Sequence, residues 1–265
     1  MAVVKDIYRY LDEIAPFATQ MSFDNAGFLV GHGGQHVKRI LVALDITAPV
    51  VEEAVHLGCN LIVAHHPVIF HPAKAITDET STGRVLLALA EEKIAAICAH
   101  TNLDAAVGGV NCALARRLEL ADIDLLVQDG VDGQGRPYGI GRVGTVSGGE
   151  VAVKDFAAFV KERLGSASVR FVDTGRPVKK VAVGGGSCGS MLADAAAAGC
   201  DTFVTADVKH DQYLEARAIG INLMDAGHYA TENVVTAPLA EALRERFPEA
   251  EVFAFAPAGD VYESL

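Results

Sequence analysis

The 265-residue chain contains no tryptophan, and only 6% of it is aromatic. Its five cysteines, Cys59, Cys98, Cys112, Cys188 and Cys200, include no CxxC pair and lie in or beside apolar segments. A disulfide framework is thereby excluded, and each thiol reads as a small buried hydrophobe. Cys98 stands apart, because in a strand it would share a face with His100 two residues on. No apolar stretch approaches the ~18 residues of a membrane span. The opening MAVVKDIYRYLDEIAP spaces Val3, Ile7, Leu11 and Ile14 at helical intervals with charges between them, which describes an amphipathic helix and not a signal peptide. A reduced, cytoplasmic protein with no membrane contact is expected.

Positive charge is also scarce. Lys and Arg never run longer than two and the formal net charge is -12, so the basic footprint that grips a nucleic-acid backbone is missing and no direct nucleic-acid binding is expected. An anionic substrate would need a local positive centre, which a bound metal ion supplies in an acidic protein.

What is present is a 51% hydrophobic sequence with 26 glycines, in which short apolar runs alternate with turns. That pattern indicates an α/β protein. KRILVALD at 38 to 45, followed by AVHLGCNLIVAHHP, aligns without a gap on KKVAVGGG at 179 to 186, followed by AAAAGCDTFVTADV, at an offset of 141. Lys38 meets Lys179, Val42 meets Val183, Gly58 meets Gly199, Cys59 meets Cys200 and Val63 meets Val204. Each copy reads as strand, helix, Gly-Cys turn and strand, with the glycine closing the helix. The runs ILVAL and LIVA lack polar alternation, as strands buried on both faces do. The expected fold is two related α/β domains with mainly parallel sheets covered by helices. The first half is placed at 1–126, with the C-terminal segment 234–265 a candidate to complete it, and the second at 127–233. The glycine-dense stretch 128–149 between them marks loops and a hairpin. Helices are expected from Val151 to Leu164 and from Thr236 to Phe247.

The chemistry gathers at strand ends. His65 and His66 follow LIVA and precede Pro67. Adjacent side chains on an extended backbone diverge, so the pair would serve two ions side by side more readily than one. A third strand in each half leads to a His-x-x-x-acid pattern, His100 to Asp104 and His228 to Glu232, at an offset of 128. If helical, each pattern puts its carboxylate on the face of its histidine, where it could bridge two metals. The ends of the strands in the two halves would meet at a shared cleft across a pseudo-two-fold. Imidazole and carboxylate donors without thiolate suit Zn, Mn, Fe, Co or Ni better than Ca or Mg.

FDNAGFLVG at 23 to 31, LDIT at 44 to 47, AHHPVIF at 64 to 70, HTNLD at 100 to 104, TADVKHD at 205 to 211 and DAGHYATE at 225 to 232 closely resemble the Nif-three-like family, also called the GTP cyclohydrolase I type two homologues or domain of unknown function thirty-four. The resemblance implies a Nif-three-like fold, a toroidal homohexamer, and two divalent metal ions per subunit held by His65, His66, Asp104, His228 and Glu232, with His100 a sixth ligand or close by. It also implies the short form, without the inserted domain of longer relatives. Phe23 stands where Trp is common in the family, and Ala206 where Gly is common.

Three functions compete. The first is a two-metal hydrolase of a phosphorylated or nucleotide-like small molecule, with His210 or Asp207 as general acid or base and Lys209 as an electrostatic contact. The second is a dinucleotide-binding module, since Gly184, Gly186 and Gly189 fit G-x-G-x-x-G after a strand and Asp207 follows about 20 residues on. The third is a non-enzymatic metal carrier or regulatory scaffold.

Overall fold

The computed structural model describes residues 1–255 and 261–262. The chain divides into two compact units, one formed by Met1–Leu103 with the stretch that begins at Thr236, the other by Asp104–Val235. Among the described residues no helix is long and apolar enough to cross a membrane.

In the first unit, helix α1 (Val4–Ile14) buries Val4, Ile7 and Leu11, one stripe at i, i+3 and i+7. The Asp6 carboxylate accepts a hydrogen bond from the Val3 N–H at 2.9 Å and closes its N-terminus. The sheet consists of β1 (Gly27–Val30), β2 (Arg39–Ala43), β3 (Leu61–Ala64), β4 (Ala95–Cys98) and the C-terminal strand Glu251–Ala254, in the order β1-β4-β3-β2-C-terminal strand. Only the edge strand β1 is antiparallel to its neighbour. Leu41, Ile62 and Ala96 pack on one face against Val50 and Ala54 of α2 (Ala48–His56) and Val85 and Leu89 of α3 (Ser81–Glu91). Ile40, Leu61 and Ile97, which alternate with them, are equally buried on the other face. Burial on both faces is why these strands lack polar positions.

Helix α4 (Thr101–Ala105) contains the division between the units, and α5 (Val110–Arg117) opens the body of the second. Its strands are β5 (Leu120–Leu125), the short hairpin β6 (Gly130–Val131) and β7 (Pro137–Tyr138), β8 (Arg142–Val146), β9 (Arg170–Val172), β10 (Lys180–Val183), β11 (Thr202–Thr205) and β12 (Asn222–Asp225). The main sheet runs β5-β8-β10-β11-β12-β9. Val181, Val183, Val204 and Met224 face α5 and α6 (Val153–Leu164), while Ala182, Phe203 and Leu223 face α7 (Leu192–Ala197) and α8 (His210–Ile219).

Three expectations are corrected. The boundary placed near 126 falls between Leu103 and Asp104, because α5 and β5 pack into the second sheet's core. The second sheet is parallel only through β10, β11 and β12; β5, β8 and β9 pair antiparallel. The glycine-dense stretch holds the expected hairpin, β6 with β7, but also a full strand, β8. Gly144 lies there because a Cβ would come within 2.8 Å of the Leu120 Cβ on β5.

The duplication extends to hydrogen bonds. Leu41 pairs with Ile62 and Ala182 with Phe203, each 141 residues on. Gly58 and Gly199 take positive φ after α2 and α7, and Cys59 N–H to Ala54 O recurs as Cys200 N–H to Ala195 O, the same helix-ending motif twice. Asn60 and Asp201 both accept backbone N–H bonds from the preceding strand. For the third strands the offset is 127, since Ala95 pairs as Asn222 does. His100 therefore corresponds in register to Gly227, and His228 lies one residue further.

Candidate metal centre

In the first unit β3 ends at Ala64 and the chain bends at His65 and His66, so the alternation of an extended strand stops there. The expected divergence of the two side chains does not occur: their ring centroids lie 4.9 Å apart, and those of His65 and His66 lie 5.1 and 5.4 Å from that of His100. One ring nitrogen of each falls within 4.8 Å of the others.

Each ring is fixed through Nδ1. In buried His65 it lies 2.9 Å from the carbonyl of Ala99, in His66 it lies 2.7 Å from Oδ1 of Asp45, and in His100 it lies 2.8 Å from Oδ1 of Asp24. A carbonyl or carboxylate oxygen only accepts, so Nδ1 carries the hydrogen. Asp24 also accepts from the Thr101 N–H at 3.0 Å and its hydroxyl. Burial alone would raise its carboxyl, but the hydrogen bonds from His100 and Thr101 outweigh it and hold the pKa at about 2. Cys98, beneath His100 in β4, is buried and its thiol is pushed up to about 12 by loss of water, so it stands as an inert core residue.

In the second unit, Gly227 starts α9 (His228–Glu232) at a φ of +89°. The i, i+4 spacing brings His228 Nε2 to 2.9 Å from the buried Glu232 carboxylate, while His228 Nδ1 lies 2.7 Å from Oδ2 of Asp207. The fourth imidazole thus shares the Nδ1 anchoring of the other three and meets a carboxylate at each ring nitrogen. Asp207 occupies, 141 residues on, the place of His66.

The glycine loop accounts for Glu232. Gly186 has a φ of +62°, and a Cβ there would run into the Glu232 carboxylate. Its N–H donates to Thr231 Oγ1 at 3.0 Å, and that of Gly185 to Asn111 Oδ1 at 2.8 Å. Those amides are committed inside the protein, and the helix after the loop, α7, has only six residues. The loop is shaped around Glu232 and does not offer these amides to a pyrophosphate as the dinucleotide fingerprint requires.

Asn111 donates from Nδ2 to the carbonyl of Asp104 at 3.0 Å, so one buried amide ties Asp104 to the loop around Glu232. Buried Arg142 clasps the same segment, donating to the carbonyls of Ala105, Ala106, Gly139 and Gly141. Nearby, burial and then the charges of Asp104 and Glu232 push the Cys188 thiol up. Negative potential that opposes a thiolate favours a cation. Asp225, also buried, accepts from Arg170, from the N–H groups of Val208 and Gly227, and from Tyr213. It joins the loop carrying Asp207 to the turn carrying His228.

The sequence candidates separate accordingly. Asp207 meets His228, whereas Lys209 and His210 are exposed at the start of α8. Asp24, Asp45, Asn111, Arg142 and Asp225 were not singled out from sequence. Asp24, Asp45 and Asp225 do stand in the motifs FDNAGFLVG, LDIT and DAGHYATE.

A model of the Duf34/NIF3 (NGG1p interacting factor 3) family matches residues 2–258. The GTP cyclohydrolase 1 type 2 homolog of Clostridium perfringens is 32% identical over 264 residues, covering 99% of each chain. That of Streptomyces coelicolor is 39% identical over 236 residues, covering 88% of this chain and 82% of its own. The crystal structure of the Staphylococcus aureus hypothetical protein SA1388 superposes with a TM-score of 0.93 at 30% identity, covering 99% of each chain.

Proposed function

Because the chain belongs to the Duf34/NIF3 family, we propose that it is a dinuclear metal protein that hydrolyses a phosphorylated or nucleotide-like small molecule. Two divalent ions, Zn, Mn, Fe, Co or Ni, would be held by His65, His66, Asp104, His228 and Glu232, with His100 as a further donor. The observation that carries the reading is the common anchoring: four imidazoles each have Nδ1 within 2.9 Å of a carbonyl or carboxylate oxygen, and one of them, His228, also brings Nε2 to the Glu232 carboxylate. Metal-ligating histidines are oriented and made more basic in this way.

Bound dications would supply a Lewis-acid field that activates water and holds an anionic group. Around them Asp45, Asp24 and Asp207 keep the Nδ1 protons in place and orient the rings. Since Asp207 is engaged by His228, the acid-base assignment passes to His210, with Lys209 as the electrostatic contact. The name of the relatives supports a nucleotide-like substrate.

The test is elemental analysis of protein purified without chelator, followed by a screen against phosphoesters, nucleotides and cyclic amides with His65→Ala as control. About two ions per chain and turnover that His65→Ala abolishes are expected. No metal after reconstitution with Zn, Mn or Fe would overturn the proposal.

A further inference from the structure

In the first unit Tyr8 stacks at 4.7 Å on Phe17, which is buried. Phe23 and Phe70 do the opposite, remaining 62% and 38% exposed although their rings adjoin at 6.4 Å and 66°. One exposed apolar side chain is ordinary, but two rings from separate loops meeting at the surface form a patch that awaits a partner.

Both are fastened to the histidine cluster. Phe70 meets the His100 ring at 6.0 Å and 81°. Asp24, directly after Phe23, holds His100 Nδ1 and Thr101, and Asn25 donates from Nδ2 to the carbonyl of Ile69, directly before Phe70. The tripeptide Phe23-Asp24-Asn25 therefore fixes one aromatic ring, one candidate ligand and the second aromatic loop relative to one another.

We infer that Phe23 and Phe70 are a stacking subsite for a planar ring of the substrate, which makes that substrate a nucleotide-like molecule with an aromatic heterocycle beside its anionic group; the inference rests on the metal-site reading above. An incoming ring lies on the open face of Phe23 and meets Phe70 at its edge, the two geometries aromatic pairs favour. Stacking holds any nucleobase without reading its hydrogen-bonding edge, and in a chain of net charge -12 it provides a hold that does not depend on basic side chains.

Since the protein has no tryptophan, Phe23→Trp installs a single tryptophan in the subsite, excited at wavelengths where the six tyrosines do not absorb, while keeping an aromatic face. The protein as purified is titrated with AMP and, as a control lacking the ring, with ribose 5-phosphate. Saturable quenching by AMP but not by ribose 5-phosphate is expected, and adding Phe70→Ala should weaken AMP about tenfold. Calorimetry on the natural sequence should show a similar loss for Phe23→Ala. Equal responses to the two ligands, or AMP binding unchanged by Phe70→Ala, would overturn the inference. So would a change of oligomeric state in these variants with AMP affinity intact, which would make the patch a protein interface. Ring-selective quenching without metal content or turnover would leave the subsite standing and remove the hydrolase reading. Metal-dependent turnover indifferent to both substitutions would do the reverse.

Discussion

Asp207 holds His228 through a 2.7 Å contact to Nδ1, and it does so from the position that His66 occupies in the first half of the chain. The contact fixes the orientation of the His228 ring, so its value can be measured as metal affinity. Asp207→Ala should weaken binding at this end of the centre by about 10- to 100-fold with the fold intact, and Asp207→Asn should cost less, because an amide oxygen still accepts from Nδ1. A chelator-competition titration checks it; equal losses for Asn and Ala would mean that charge, not ring orientation, is what Asp207 supplies.

Glu232 should be the most sensitive ligand. An imidazole committed at Nδ1 can bind one ion, whereas a carboxylate has two oxygens and can bridge two that repel each other. Glu232→Gln is expected to lower the metal content from about two ions towards none, and His65→Ala or His66→Ala to about one. Stoichiometry of the three purified variants decides the matter, and loss of both ions from either histidine variant would show strictly coupled binding.

Gly186→Ala combines a φ of +62° with a Cβ aimed at the Glu232 carboxylate. A destabilisation of about 1–3 kcal/mol is expected from the backbone and the clash. Metal content should fall as well. Denaturant unfolding and elemental analysis test both, with Gly133→Ala as control, since a Cβ there meets nothing within 4 Å.

NAD and NADP should bind no better than about millimolar, because the N–H groups of Gly185 and Gly186 already serve Asn111 and Thr231. A micromolar isotherm with either would restore the dinucleotide reading.

Assembly is expected to be hexameric, as the family resemblance implies. Exposed apolar side chains such as Val107 and Leu214 are available to be covered, and closed symmetry is how soluble chains usually cover them. Light scattering at micromolar concentration should give about six times the 27.8 kDa chain mass, and a stable monomer would contradict it.

The strand ends and the His228–Glu232 spacing are legible in the sequence. Buried parallel strands advertise themselves as unbroken apolar runs, so His65, His66 and His228 could be read as lying at strand ends. The i, i+4 relation then attached Glu232 to His228. What stayed hidden depends on contacts between distant segments. Asp24 lies 76 residues from the His100 it holds, and Asp45 lies 21 from His66. The divergence of His65 and His66 failed because it assumed a strand that ends one residue earlier. The boundary near 126 failed because β5 precedes the glycine-rich stretch in sequence but hydrogen-bonds to β8 within it. The offset of 128 between the histidines concealed a strand register of 127, and with it the correspondence of His100 to Gly227.

The two repeats, then, are no longer interchangeable parts. Where the first has Asp45, the second has Gly186, and the empty Cβ position is filled by Glu232. A substitution that wrote LDIT over Gly185 to Cys188 would leave the residues of β10 untouched and still place a side chain where the Glu232 carboxylate lies. The halves share a pattern of strands and turns, yet at this turn neither can be replaced by the other.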